Sequence, residues 1–192
     1  MILSALSNQF YFNLPHYMIS KRLEDEFEKL MLKTMNPYDS VMDYINSTIK
    51  EIIMPSVTFN TVKQIKKFGK EIQHKEAKPI YDKFGNSINI TFRATNSYEN
   101  YFIILQIITE IYLDTDNTHM DFLFIDILDT DGDIIYKVKF SEIIFNSLSE
   151  MPLAYNRTDI SEKTFTLTFT YNYIDIDWQL DDENSSRSIF DV

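Results

Sequence analysis

Apolar and polar residues alternate in the last third of the chain, in two runs at residues 134–142 and 164–178. From 165 to 173 the odd-numbered residues are Phe, Leu or Tyr, and the even-numbered residues from 164 to 172 are Thr or Asn. Side chains two residues apart lie on the same face of a strand. This pattern predicts a central strand that packs on the core through four side chains: Phe165, Leu167, Phe169 and Tyr171. The alternation changes parity near Tyr173, so we expect a bulge or a change of sheet there.

The first third of the chain has helical spacing instead. Apolar residues recur every three or four positions between Ile19 and Met31 with charged residues between them, which predicts an amphipathic helix. Asn36 followed by Pro37 is typical of a helix start. A second helix is therefore predicted to run from there to about Ile53, where Pro55 would stop it.

Short strands are predicted from residue 54 onwards. Residues 57–59 are predicted to begin one strand, and residues 88–92 to form another. The Lys-rich segment between them is either a long hairpin or a mobile loop. A helix capped by Asn96 or Ser97 is favoured through Ile111, although its apolar run also fits a buried strand. Strands at 122–128 and 134–140 then flank an Asp-Gly turn, a strong hairpin signal.

Composition excludes several classes of function. A chain of 192 residues suits one domain, and its three glycines stand too far apart for a phosphate-binding loop. There is no cysteine, no GxSxG context and no metal-ligand spacing of histidines. The acidic loop at 129–133 fails the calcium pattern because Gly132 is its fourth residue rather than its sixth. We therefore expect no enzyme, no catalytic residue, no metal and no cofactor.

The formal net charge is −11, but it is unevenly placed. Residues 63–83 contain seven lysines and three acids, which gives +4, whereas residues 110–133 contain eight acids and no lysine or arginine, which gives −8. These runs are either solvated faces or complementary patches that meet between copies. The second interpretation makes candidate inter-subunit contacts of Lys63, Lys66, Lys67, Lys70, Asp129, Asp131 and Asp133.

The N-terminus lacks the basic start and sustained apolar run of a secretion signal. No apolar run reaches the roughly 20 residues that a membrane-spanning helix needs. We therefore expect a soluble protein.

The order of elements resembles a known family over about residues 54–178. The segments PSVTF, a Lys-rich hairpin region, SINITFRAT, DFLFIDILDTDGDIIYKVKF, SLSEMPL and TFTLTFTYNYIDI occur in that order. Their sequence is similar to that of tail tube proteins of long-tailed bacteriophages and of contractile injection systems. The resemblance implies an α+β fold: an antiparallel β-sandwich or barrel of the tail-tube type with one flanking helix. The expected domains are a helical N-terminal arm at 1–53, a β-domain at 54–180 and an acidic tail at 181–192.

The resemblance also implies a function. Such a chain is a structural protein of the phage virion, assembled in the host cytoplasm, that forms a ring of six or twelve copies in the tail. Its neighbours are tail, collar or portal-side proteins, and DNA passes through the lumen unbound. The helical arm and acidic tail depart from the family pattern and favour a specialised ring over a uniform tube. Asp175 and Asp177 are candidate channel-lining residues, because an acidic wall repels DNA.

Two other classes of function stay open. The first is a phage assembly factor or adaptor that binds a partner through its helical arm and never enters the particle. The second is an enzyme or ligand-binding barrel without a recognisable motif. Oligomeric state separates both from a ring subunit.

Overall fold

The computed structural model describes residues 10–15, 19–34, 38–65, 71–76, 84–95, 97–113, 119–129, 131–151 and 163–178. Three helices and nine strands lie in these ranges. The helices are α1 (Lys21–Thr34), α2 (Val41–Thr48) and α3 (Glu99–Leu113). The strands are β1 (Phe10–Asn13), β2 (Ile49–Ile53), β3 (Thr61–Ile65), β4 (Glu71–Lys75), β5 (Ser87–Arg93), β6 (Met120–Leu128), β7 (Ile134–Leu148), β8 (Thr164–Thr170) and β9 (Tyr173–Trp178).

Seven of these strands form one antiparallel sheet in the order β1-β6-β7-β8-β5-β2, with β9 also paired to β7. The long strand β7 joins two halves. Its first part lies between β6 and β9, and its last part pairs with β8. The change of partner falls between Ser141 and Ile144, and Glu142 within this stretch has a positive φ of 54°, which bends the strand.

The strand β8 is central, as its alternation predicts. It lies between β7 and β5, and Phe165, Leu167, Phe169 and Tyr171 are all buried. Phe165 stacks on Phe92 of β5 with ring centroids 5.2 Å apart. The predicted change of sheet is also confirmed, because β8 ends at Thr170 and β9 begins at Tyr173 against β7 in the other half.

In the described part of the first third of the chain, both helices lie between β1 and β2. In α1, Leu23, Phe27 and Met31 are buried, which confirms the amphipathic stripe. The predicted second helix is wrong at both ends. It begins at Val41, with Ser40 as its N-cap, and stops at Thr48.

Residues 49–53 form the edge strand β2 on β5 instead of continuing α2. Strand pairing prevails here because three of the five residues are isoleucine, whose β-branched side chain favours a strand. With β1 and β2 in the sheet, buried side chains of β1, α1 and α2 belong to the same core as those of the later strands. The division into arm, β-domain and tail stays a prediction, and its tail lies outside the described residues.

The favoured helix after β5 is confirmed as α3. Asn96, one of its two predicted caps, lies outside the described residues, and the hydroxyl of Thr95 accepts a hydrogen bond from the backbone N–H of Glu99 at 3.1 Å. Asn100 is fully buried, and its amide donates to the Arg93 carbonyl at 2.7 Å. These bonds fix the start of α3 against the end of β5. Tyr101 then packs edge-on against Phe165.

The described chain is thus α+β with a seven-stranded antiparallel sheet and three helices, where the sequence predicted one flanking helix and a helical arm. Within the described ranges, no helix is both long enough and apolar enough to cross a bilayer.

Candidate assembly surfaces

The acidic loop between β6 and β7 is a hairpin turn. The Asp129 carboxylate accepts hydrogen bonds from the backbone N–H groups of Asp131 at 2.8 Å and Asp133 at 2.9 Å. Gly132 has a positive φ of 93°, the conformation in which the sequence expects glycine. Asp129 therefore holds the turn itself, and the exposed Asp131 and Asp133 are the acids of this loop that a partner can reach.

The basic segment contains a second, separate sheet. Strands β3 and β4 form a two-stranded hairpin, which we call the basic hairpin, so the hairpin alternative for this segment is correct. Lys63 is exposed and pairs with Glu71 of the neighbouring strand at 2.9 Å. The other three candidate contacts, Lys66, Lys67 and Lys70, lie outside the described residues. All of β3 and all but Ile72 of β4 are exposed, so the hairpin extends into solvent.

The candidate channel residues lie side by side on the outer face of β9. Asp175 is opposite Lys139 of β7, and Asp177 is opposite Lys137. The neighbouring Ile174 faces the core and is buried. Acidic and apolar side chains of β9 therefore alternate between the two faces of the strand, as predicted. Residues directly opposite in an antiparallel pair share a face, so the two acids border two lysines rather than forming an isolated negative surface.

Sequence reasoning missed the rest of this outer face. Lys137 lies 3.9 Å from the carboxylate of Asp126, which is buried, and 5.4 Å above the ring of Phe124. Lys139 lies 5.4 Å above the ring of Phe122. Burial raises the pKa of Asp126, and the charge of Lys137 opposes that shift. The alternation of aromatic and acidic residues in β6 with lysines in β7 is the signal that could have shown this face.

The outer face of the other half is polar and nearly uncharged. The Thr168 hydroxyl donates to the Asn89 side chain at 2.8 Å, and the Thr91 and Thr166 hydroxyls are 3.4 Å apart. These bonds link β5 to β8 across the threonine face that the sequence predicted. The threonines are thus bonded to one another and remain partly accessible.

The edges of the sheet differ in how they are covered. At β1, the Asn46 side chain of α2 accepts from the Phe12 N–H at 2.7 Å and donates to the Phe12 carbonyl at 2.8 Å, as a neighbouring strand would. Within the described ranges, β2 pairs only with β5, and β9 pairs only with β7. A strand paired on one side offers its other edge to a second chain.

Among the residues that the structure describes, no group of three or more His, Asp or Glu side chains could hold a metal ion. The candidate assembly surfaces are the edge strands that pair on one side only, an exposed hairpin and two outer faces of different charge.

Comparison with solved structures identifies the fold. The chain is similar to a subunit of the anti-feeding prophage tube-terminating cap, with a TM-score of 0.54, 9% identity and 93% of each chain covered. It is also similar to a chain of the anti-feeding prophage baseplate, with a TM-score of 0.52, 14% identity, and 92% of this chain and 97% of that chain covered. No family model matches the sequence, and no curated protein sequence matches it. The fold is that of tail tube proteins, as the sequence resemblance predicts.

Proposed function

We propose that the chain is a structural subunit of a phage tail or of a phage-tail-like injection particle, where copies of it form a closed ring in the tube or its cap. The similarity to a tube-terminating cap over 93% of both chains carries this proposal. Fold similarity alone is an analogy, so the surfaces of this chain must support it independently.

The strand edges supply the first support. Strands β2 and β9 each have one strand neighbour in the described chain, and an edge of this kind invites pairing with another chain. A closed ring occupies such edges with identical neighbours and leaves none for open-ended aggregation. The capped edge at β1 is then the edge that the ring does not use.

The basic hairpin supplies the second support. An isolated two-stranded sheet is marginally stable in water, and this one has almost no buried side chain. Contact with a neighbouring copy would stabilise it. We propose that its lysines meet acids of the next copy, with Asp131 and Asp133 as reachable partners of Lys63, Lys66, Lys67 and Lys70.

The two halves of the sheet are proposed to face each other as a β-sandwich. Side chains from both halves belong to one buried cluster, and Phe140 of β7 packs edge-on against Tyr171 at 4.9 Å. A sandwich of this kind leaves two outer faces, of which one could line a ring and the other its outside.

The candidate lumen is the outer face that carries Asp175 and Asp177. Lys137 and Lys139 lie opposite these acids, so the face presents alternating charges rather than a strong field of one sign. Such a face neither binds a polyanion tightly nor repels it strongly. This face is therefore compatible with the passage of DNA. For a phage tail, we propose specifically that the ring surrounds the channel through which DNA is ejected.

The alternative function as an assembly factor is not favoured. It requires a helical arm whose apolar stripe is free to capture a partner. In this chain the stripe of α1 and the apolar side of α2 are buried in the chain's own core, with Leu23, Phe27 and Ile45 at 2%, 5% and 1% exposure.

Oligomeric state tests the proposed function. Size-exclusion chromatography with light scattering, run over a range of protein and salt concentrations, should show a discrete large oligomer that stacks or dissociates with salt. A monomer or dimer at every concentration would contradict the proposal and restore the assembly factor as the better explanation.

A further inference from the structure

The opposite edges β1 and β9 are connected by one row of residues across the sheet. The row contains one residue from each of four paired strands: Phe12, Ile125, Val138 and Ile176. Residues directly opposite each other in an antiparallel pair either exchange both of their backbone hydrogen bonds or exchange none, in alternation along the strands. At the β1 edge both backbone groups of Phe12 bond to the Asn46 side chain, so they point away from β6.

The backbone N–H of Ile176 points to the open side of β9 for the same reason. Because Phe12 and Ile125 exchange no bonds, the backbone groups of Ile125 point to β7 and bond to Val138. Val138 and Ile176 are then again a pair without bonds. The Ile176 N–H donates instead to the carboxylate of Asp175 at 3.0 Å. We call this hydrogen bond the β9 cap, because it occupies a donor at the edge of the sheet.

The caps on β1 and β9 differ in what they satisfy. The Asn46 side chain accepts from the Phe12 N–H and donates to the Phe12 carbonyl, so both groups of that edge residue are bonded. An ionised carboxylate can only accept, so Asp175 satisfies the Ile176 N–H and cannot bond to the Ile176 carbonyl, which points the same way. A neighbouring strand can satisfy both groups. A second chain therefore gains a hydrogen bond by replacing the β9 cap.

Strand β2 presents a matching edge in the other half of the sheet. The Ala94 N–H donates to the Lys163 carbonyl, which makes these two residues a bonded pair of the β5–β8 ladder. By alternation Ile90 also directs its backbone groups to β8, and Ile52 opposite Ile90 directs its own away from β5. Ile52 and Ile176 are both partly buried and pack against the core. Pairing of the two edges would cover the rest of both side chains.

We propose that β9 of one copy pairs with β2 of a second copy, and that this pairing displaces the Asp175 carboxylate from the Ile176 N–H. This inference rests on the proposed ring, and it names the two edges that meet and the group that must move. The contact is heterologous, because the two edges are different parts of the chain, so repeated copies can close into a ring. After displacement the Asp175 side chain remains on the outer face, where Lys139 is its opposite residue.

The other edges are poorer partners for β9. Both backbone groups of Phe12 are occupied at β1, and at the end of β7 the Phe145 carbonyl already accepts from the Tyr112 hydroxyl. A second β9 would place the acids of two β9 strands side by side, and like charges oppose such a pair. Strand β2 contains one base and one acid, Lys50 and Glu51, so it brings no net charge to the contact.

Three single substitutions separate the cap from the charge that it carries. Asp175→Ala removes both the cap and one negative charge. Asp175→Asn removes the charge but keeps a side-chain oxygen that can accept from the Ile176 N–H. Asp177→Ala is the matched control, because it removes the same charge from the same face of β9 and leaves Asp175 in place. All three changes are on the outer face, so each variant should keep the circular dichroism of the original chain.

Light scattering over a range of protein concentrations measures the effect of the cap on assembly. Asp175→Ala should assemble at a concentration roughly two- to tenfold lower than the original chain, because assembly no longer has to break one hydrogen bond. Asp175→Asn and Asp177→Ala should stay close to the original chain. An unchanged Asp175→Ala variant, or equal shifts in Asp175→Ala and Asp177→Ala, overturns the displaced cap.

Hydrogen–deuterium exchange of the original protein, read by mass spectrometry on peptides that cover β2 and β9, tests the pairing itself. We expect slower exchange of both strands in the assembled sample than in the dilute one, whereas the capped strand β1 should exchange equally in both. Rings in electron micrographs without protection of both β2 and β9 overturn the pairing and leave the proposed function standing. Absence of assembly by the original chain and by every variant overturns both.

Discussion

Replacing Phe169 by alanine is the sharpest test of the fold that positions these surfaces. Phe169 is fully buried in the central strand β8, opposite Ile88 of β5 and Phe145 of β7. Its ring lies 6.1 Å from that of Phe145 in an edge-on arrangement. Removing a buried phenyl group loses its transfer free energy and leaves a cavity, which together lower the free energy of unfolding by about 3–5 kcal/mol.

Urea denaturation of the monomeric protein measures this loss, and thermal melting should show it as a fall of about 2–4 °C per kcal/mol. Thr164→Ala is the matched control, because Thr164 is in the same strand and exposed. The control should change the free energy of unfolding by less than about 1 kcal/mol. Equal effects of the two substitutions, or a loss below about 1 kcal/mol for Phe169→Ala, would refute the central position of β8.

Three further predictions concern the edge, the charges and pH. Asn46→Ala removes the cap on β1 and should lower the free energy of unfolding by about 1–3 kcal/mol in urea denaturation; no change would show that the cap is unimportant. Reversing three lysines to glutamate, at positions 66, 67 and 70, should weaken assembly in light scattering without changing the circular dichroism of the monomer; unaltered assembly at all salt concentrations would show that these lysines are merely solvated. Burial raises the pKa of Asp126 in the folded state, so its contribution to stability falls as pH rises from about 4 through that raised value. Asp126→Asn should therefore stabilise the protein at pH 7 in urea denaturation, with a gain that disappears in acid and is absent in Asp131→Asn; a destabilised Asn variant would contradict the cause given for the shift.

The sequence predicts this fold best where apolar residues recur with a single spacing over a long segment. The alternation in β8 identifies four buried side chains correctly, and the spacing from Ile19 to Met31 identifies α1. The Asp-Gly signal places the β6–β7 turn at the right residues, where Gly132 has a positive φ and the Asp129 carboxylate accepts two backbone hydrogen bonds.

The end of α2 illustrates why other boundaries were missed. Ile49, Ile52 and Ile53 fit the spacing of a helix as well as the composition of a strand, and only the pairing with β5 decides between them. The cap on β1 by Asn46 depends on two segments 34 residues apart, which no local pattern can reveal. Helix α3 was visible as an apolar run, but which side of the helix faces the core depends on its packing against the sheet, where Tyr101 contacts Phe165 of β8.

The candidate site was predictable in part. The acidic alternation of Asp175 and Asp177 was visible in the sequence. Their lysine neighbours were not, since Lys137 and Lys139 come from a strand whose register with β9 follows from the whole sheet. The separate hairpin of basic residues was one of two alternatives, and only the pairing of β3 with β4 decides between them.

Electron microscopy of the purified protein tests the central claim most directly. The proposed function predicts closed rings of uniform diameter with a central pore, alone or stacked into short tubes, because β2 and β9 offer edges that a ring occupies. Fields of single compact particles without rings, at concentrations where light scattering detects no oligomer, would contradict it.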